Sequence, residues 1–289
     1  MESHVSNAAA PGTLYVVSTP IGNMGDFSFR AVEVLRSVNG ILAEDTRHTR
    51  GLLSRYEIDT PMVAYHEHNE AKTTPGLVAR LLAGESLALV SDAGTPLVSD
   101  PGGRLVAASI AAGVAVVPIP GASAVLAALV ASGIAADRFT FFGFLTRSGA
   151  ERRLALDEIT SLRHTVLLYE SPNRLSHTLG ELEQRGNGNR QAAVAREMTK
   201  QFEEIRRGTV SELRAYYKDT PPRGEVVLVL EGAAVHAPSE DVVRDRVRAL
   251  RAAGMSTRDV AGLVAEELGV PKRLAYRLAQ ESGVAESTE

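Results

Sequence analysis

The stretch LALVSDAGTPLVSDPGG, residues 87–103, decides how this chain reads, because it sets a buried strand, a polar turn and a helix start in succession. Leu87, Ala88, Leu89 and Val90 form an apolar run of the kind found in buried parallel strands, and the run stops at Ser91. Asp92, Gly94, Thr95 and Pro96 read as a turn. Asp100 then reads as the cap of a helix whose first position is Pro101, with Gly102 and Gly103 permitting close backbone approach. Ligands of open α/β sheets lie beyond the carboxyl ends of the strands, so residues 92–96 stand where a ligand would lie. The same composition also suits a plain strand-to-helix connection.

Working outward, apolar runs and amphipathic stretches alternate on both sides of this segment. Strands are expected at 13–18, 40–44, 62–65, 87–90 and 114–118, and helices at 27–38, 46–55, 74–82 and 101–112. Thr74 and Pro75 read as cap and first turn of the third helix, which Gly84 closes. Five strands alternating with four helices imply a parallel, doubly wound N-terminal α/β domain over 13–120. The run Pro118, Ile119, Pro120, Gly121 continues neither element and marks a boundary.

A second α/β domain is expected over 121–232. Its helices fall at 122–132, 151–159, 173–185 and 209–217, and its strands at 138–144, 165–169, 191–195, 203–208 and 225–230. The connection between 195 and 203 is too short for a helical crossover, which makes this sheet mixed. Beyond 232 come three short amphipathic helices, at 239–252, 257–268 and 271–280. Together they form a region, 239–284, that resembles a helix-turn-helix, with Lys272, Arg273 and Arg277 on its last helix. A small helical cap or dimer arm would look the same.

Composition narrows the chemistry. The chain has 289 residues, no cysteine and seven histidines. Disulfides, thiolate metal sites and cysteine nucleophiles are excluded, in keeping with a reducing cytoplasm. His66 and His68 have the spacing of a strand-borne metal pair but lack a third ligand, so no metal is expected. Residues 1–12 read as a disordered tail and not a signal peptide, and no apolar run reaches membrane-spanning length. A net charge of -4 argues against indiscriminate nucleic-acid binding, so any RNA contact must come from local basic patches.

Five separated segments carry a resemblance: STPIGNMGD (18–26), EDTRHTRGLL (44–53), SDAGTPLVSDPGG (91–103), PGASA (120–124) and YESPNR (169–174). In order and wording they resemble the ribosomal RNA small-subunit methyltransferase I family of the tetrapyrrole methylase superfamily. The resemblance implies a two-domain α/β tetrapyrrole-methylase-like fold with a helical C-terminal region. It also implies S-adenosyl-L-methionine as cofactor, bound in a cleft between the domains of a homodimer. The implied reaction is methylation of a cytidine 2'-hydroxyl in the decoding region of 16S rRNA, with the small ribosomal subunit as partner. Carried over residue by residue, the cofactor positions fall on Pro20, Ile21, Asp92, Ala93, Gly94, Thr95, Ser123, Ala124 and Glu170, with Met198 on a further segment. STPIGN stands where porphyrin-ring methylases carry a glycine-dense loop, which speaks against a tetrapyrrole substrate.

The residues support a binding chemistry of their own. S-adenosylmethionine is a sulfonium cation without a phosphate, so carboxylates and backbone groups should hold it. Asp92 can accept from a hydroxyl or ammonium group, and Gly94 removes a side chain where a ligand must approach. Ser123 can bind the cofactor or simply cap the next helix. No GxGxxG follows the first strand, which argues against an ordinary dinucleotide-binding domain. Transfer to a ribose hydroxyl needs in-line geometry and help with a proton, for which Lys200 and Asp45 are the candidates. Arg47, Arg174 and Arg196 are candidates for RNA phosphate, as are Arg147, Arg152 and Arg153 in the basic loop TRSGAERR (146–153). Each could instead belong to an ion-paired turn bracing the domains. Two other readings fit parts of this pattern: a tetrapyrrole C-methyltransferase, and a non-catalytic ribosome-assembly factor.

Overall fold

The computed structural model describes residues 9–234 and 239–284. Residues 1–8, most of the expected disordered tail, lie outside the described residues. The chain divides after Ala233 into two compact units.

The first unit holds two five-stranded sheets. One is built from β1 (Thr13–Val17), β2 (Gly40–Ala43), β3 (Met62–Ala64), β4 (Leu87–Val90) and β5 (Ala115–Ile119), in the order β3-β2-β4-β1-β5, and every pairing is parallel. β2 and β4 are buried at every position, which is why they read as unbroken apolar runs. The connecting helices are α1 (Phe29–Ser37), α2 (Thr46–Arg55), α3 (Glu70–Leu82) and α4 (Gly103–Ala111). Apolar layers form on both faces: Val34, Leu35 and Leu53 lie in one, Leu77, Leu81 and Leu105 in the other.

The second sheet, ordered β6-β7-β10-β8-β9, contains β6 (Phe139–Phe144), β7 (Thr165–Glu170), β8 (Gln191–Arg196), β9 (Glu204–Thr209) and β10 (Val226–Leu230). β6 and β7 are parallel and the other pairings antiparallel, so the sheet is mixed. Helices α6 (Ala150–Ser161), α7 (Pro172–Leu182) and α8 (Val210–Asp219) cover one face. α5 (Ala124–Ser132) covers the other, where Val125, Ala128 and Leu129 pack with Ile21, Leu167, Ala195 and Val229. This layer ties the end of β1 to the second sheet.

The second unit contains α9 (Glu240–Ala252), α10 (Thr257–Leu268) and α11 (Lys272–Val284) around Val243, Val247, Val260, Val264 and Leu278. Among the described residues no helix is long and apolar enough to cross a membrane, and no three metal-ligating side chains gather.

Three of the boundaries that differ from the sequence reading have a local physical cause. α3 begins at Glu70, four residues before Thr74, because Asn69 folds back on its own turn: its Oδ1 accepts from the His66 N–H at 2.9 Å. Pro75 therefore lies inside α3, where it lacks the donor that would meet the Ala71 carbonyl. β5 continues through Pro118 to Ile119, tolerated because β5 is an edge strand. Finally, α4 starts at Gly103 and not at Pro101. Gly102 stands before it at φ 128°, and a Cβ there would lie 2.5 Å from Leu89 Cδ2. Only glycine fits this contact, and Asp100 is left free of any capping role.

Arg152 is likewise placed differently from expectation. It is 3% exposed, its guanidinium donating to Glu181 at 2.9 Å, Thr178 at 2.8 Å and the Thr146 carbonyl at 3.0 Å. It is a brace between α6 and α7, out of reach of RNA. Arg152→Ala is expected to cost about 3 kcal/mol of stability in urea unfolding, as loss of one member of a buried pair does.

Candidate active site

The carboxyl end of β4 is central because two neighbouring connections are bonded to it. After β1, the Thr19 N–H donates to the Gly94 carbonyl at 2.8 Å, and the Gly94 N–H returns a bond to the Thr19 carbonyl at 3.1 Å. Gly94 holds φ at +81°, and a Cβ there would approach Ile21 Cγ2 to 3.3 Å. Thr95 Oγ1 lies 3.0 Å from Ser18 Oγ and 3.3 Å from the Ala122 carbonyl, which draws in the segment after β5. Ser123 follows there as the cap of α5, accepting from the Leu126 N–H at 3.4 Å. The loops after β1, β4 and β5 thus converge on one point.

A cavity of about 460 Å³ opens there, lined on one side by Ile21, Asp92, Ala93, Gly94, Thr95, Ser123 and Ala124. On the other side are Phe144, Tyr169, Glu170, Val226 and Val227, from strands of the second sheet and their ends. Its wall carries five carboxylates, Glu44, Asp92, Asp100, Glu170 and Glu225, and no lysine, arginine or histidine. Burial raises the Glu44 pKa, and the nearby charges of Asp100, Asp92 and Asp45 add to the effect. Burial raises Asp100 as well, with Asp92 and Glu225 contributing, although a hydrogen bond from Ser91 opposes the shift. The Tyr169 hydroxyl is pushed up to about 12 by burial and by the same acidic neighbours. This is a site whose own charges repel one another, and a cation relieves them.

A smaller annex of about 180 Å³ shares Ile21, Asp92, Ala93 and Glu225 with the cavity and adds Pro20, Gly22, His48 and Lys200. The Lys200 ammonium lies 3.0 Å from Glu197 and 3.1 Å from Glu225. Burial alone would lower its pKa, but these two carboxylates outweigh burial and raise it, so Lys200 stays protonated. Asp45 lines neither space. It caps α2, accepting from the Arg47 N–H at 2.8 Å and pairing with the Arg47 guanidinium at 3.0 Å. Those bonds lower its pKa to about 2.

Of the other residues singled out in the sequence, Glu170 is 1% exposed and acts as an anchor in the cavity wall. Its carboxylate accepts from Thr178 Oγ1 at 2.6 Å and from the Ser171 N–H at 2.8 Å, and pairs with Arg174 at 3.2 Å. Arg174 also donates to the Leu145 carbonyl at 2.8 Å. Met198 packs into the apolar layer beneath α5 and reaches neither cavity. Arg196 pairs with Glu204 at 2.7 Å, and Arg277 with Glu240 at 3.2 Å. Arg147, Arg153, Lys272 and Arg273 are exposed and unpaired among the described residues.

The sequence reading missed Asp100, Phe144, Tyr169, Glu225, Val226 and Val227 as lining residues. Asp100 was obscured by its resemblance to a helix cap. Glu225 reaches the cleft because β10 runs antiparallel to β7, pairing Val226 with Glu170. No local pattern announces that pairing.

Residues 13–214 match the sequence profile of the Tetrapyrrole (Corrin/Porphyrin) Methylases. A protein from Synechocystis named ribosomal RNA small subunit methyltransferase I is 46% identical over 273 residues, 93% of this chain and 98% of its own. Its namesake from Escherichia coli O157:H7 is 43% identical over 285 residues, 97% of this chain and 99% of its own. The uroporphyrin-III C-methyltransferase of Thermus thermophilus, solved in complex with S-adenosyl homocysteine, shares the fold. It has a TM-score of 0.54 and 18% identity over 76% of this chain and 96% of that one. Matched from β1 into α8 by the profile and nearly end to end by these relatives, the chain belongs to the tetrapyrrole methylase family and, within it, to the ribosomal RNA small subunit methyltransferase I proteins.

Proposed function

We propose that this protein transfers the methyl group of S-adenosylmethionine to a cytidine 2'-hydroxyl in the decoding region of 16S rRNA. The observation that carries the proposal is the cavity at the end of β4, whose wall holds five carboxylates and no basic side chain, with Glu44, Asp92 and Asp100 free of a cationic partner among the described residues. A phosphate-bearing cofactor would be repelled there, whereas a sulfonium and an ammonium group meet opposite charge. The volume lies within the about 300–1,000 Å³ usual for small-molecule sites. The relatives' names support rRNA as the acceptor, and the Thermus neighbour binds the corresponding product, S-adenosyl homocysteine, in the same fold.

S-adenosylmethionine, when bound, supplies an electrophilic methyl group on a positively charged sulfur. The residues of this chain have three tasks around it. Asp92 and the Gly94 turn, at the end of β4, would hold the donor. Ile21, Phe144, Val226 and Val227 give the cleft its apolar surface, which favours a step in which the sulfonium charge disappears. Lys200, in the annex that shares Asp92 with the cavity, faces the acceptor. As a protonated ammonium it favours the oxyanion of an attacking ribose and does not abstract the proton. Glu44, which lines the cavity at the end of β2, is the carboxylate assigned to receive that proton.

Labelled methyl transfer to small subunits lacking the modification tests the reaction. Alkaline hydrolysis should leave the label in an alkali-resistant dinucleotide, because a blocked 2'-hydroxyl cannot cleave its own phosphodiester. Release of the label as a mononucleotide would exclude ribose methylation.

Asp92→Ala should weaken S-adenosylmethionine binding about tenfold or more by calorimetry, equivalent to about 1.4 kcal/mol. Asp92→Asn should do the same while retaining an acceptor for the Asp45 N–H, which donates to Asp92 Oδ1 at 3.1 Å. Lys200→Met should lower kcat by about 100-fold while leaving cofactor affinity near wild type.

Acidification should weaken cofactor binding. The raised pKa values of Glu44 and Asp100 mean that the free site takes up protons above the ordinary carboxylate range. A bound cation favours the ionised forms, so binding releases protons, and affinity falls as pH drops through those raised values. Calorimetry in buffers of different ionisation enthalpy should detect the released protons.

A further inference from the structure

A second cavity, of about 490 Å³, lies on the mixed sheet beside the reaction cleft. Phe202, Tyr216, Tyr217, Pro221, Pro222 and Arg223 form most of its wall. It is the opposite of the first in chemistry. Its wall is aromatic, and its carboxylates are already committed: Glu204 to Arg196 and Arg206, and Glu197 to Lys200. Arg206 also sits 3.6 Å over the ring of Tyr216, occupying that face.

Two groups remain available. Phe202 is 67% exposed, an uncovered aromatic face at the mouth of the cavity. Arg223 has no carboxylate partner among the described residues.

The cavity is joined to the reaction cleft by a single turn. Arg223 lines one space, while the next residues, Gly224 and Glu225, line the other. Gly224 holds φ at +79° and packs so closely on Glu197 that a Cβ would lie 1.9 Å from its Oε1. Glu225 and Glu197 both bind Lys200. Lys200 is thereby linked, through Glu197 and Glu225, to the turn that separates the two spaces.

We propose that the second cavity holds one nucleotide of single-stranded RNA adjoining the nucleotide that is methylated. The base lies against Phe202, and Arg223 binds the phosphate. Unstacked RNA bases are recognised by such aromatic faces, and arginine is the usual partner of their phosphates. This inference rests on the RNA substrate proposed above.

The test compares wild type, Phe202→Ala, Phe202→Tyr and Arg223→Ala in equilibrium binding to unmodified small subunits, and in methyl transfer to them. Both positions are exposed, so the variants should fold. Phe202→Ala is expected to weaken subunit binding and raise KM about tenfold, the loss of one stacked base, while Phe202→Tyr restores both. Arg223→Ala should weaken binding and lower the slope of log affinity against log salt by about 1. Calorimetric affinity for S-adenosylmethionine should equal that of wild type in all three. A photoreactive phenylalanine analogue at position 202 should cross-link to 16S rRNA.

Binding and KM that do not change in Phe202→Ala and Arg223→Ala would overturn the proposal, as would a cross-link to a ribosomal protein instead of rRNA. Wild-type protein that binds subunits without methylating them would overturn the assigned reaction, and the binding comparison would still decide the role of the cavity.

Discussion

The site depends on a pair of backbone hydrogen bonds between Thr19 and Gly94. Adjacent parallel strands end side by side, and their connections would ordinarily diverge toward separate helices. Here the turn after β4 is bonded to the chain leaving β1, and Thr95 extends the link to Ser18 and Ala122. The bonding leaves Gly94 at positive φ, with Ile21 already close to where a Cβ would stand. A side chain there would strain the turn and push Ile21 toward the space the ligand needs. The glycine is required by geometry before any ligand arrives.

That convergence gathers carboxylates that would otherwise avoid one another. Glu44 arrives from the end of β2, Asp92 and Asp100 from the loop after β4, Glu170 from the end of β7 and Glu225 from the start of β10. Glu170 is neutralised in place by Arg174 and Thr178 and serves the fold. Glu44 and Asp100 have no cationic partner among the described residues, and their raised pKa values record the cost. The cost is recovered when a cation binds, so the electrostatic strain of the free site is also its selectivity.

The first sheet was legible in the sequence because each strand and each helix is a local pattern. The apolar run of β4 is buried on both faces, and Gly102 is needed where it touches Leu89. The polar turn at residues 92–95 was legible for the same reason. What sequence could not supply is whatever depends on pairing between distant segments. Glu225 enters the cleft only because β10 lies antiparallel between β7 and β8. Arg152 and Arg153 are adjacent and chemically identical, yet one is buried against Glu181 and the other is exposed, a difference of helix face that the basic run TRSGAERR conceals. Asp45 and Lys200 looked alike as proton carriers until their neighbours were known: Arg47 draws one away to cap a helix, and two carboxylates hold the other protonated beside the cleft.

The disposition of the arginines bears on how a net acidic protein meets RNA. Of the basic side chains that the sequence offers for phosphate, Arg47, Arg152, Arg174, Arg196 and Arg277 are all held by carboxylates of the same chain. Those pairs place and stiffen segments, and they remove most of the positive field that would draw RNA in from a distance. Arg147, Arg153, Lys272 and Arg273 remain unpaired among the described residues, but a net charge of -4 leaves no strong positive field to bind an arbitrary duplex through phosphate alone. Recognition must then come from shape and from close contacts that only a particular folded RNA surface satisfies. In the proposed reaction, specificity lies in an acceptor that presents the right nucleotide already unstacked.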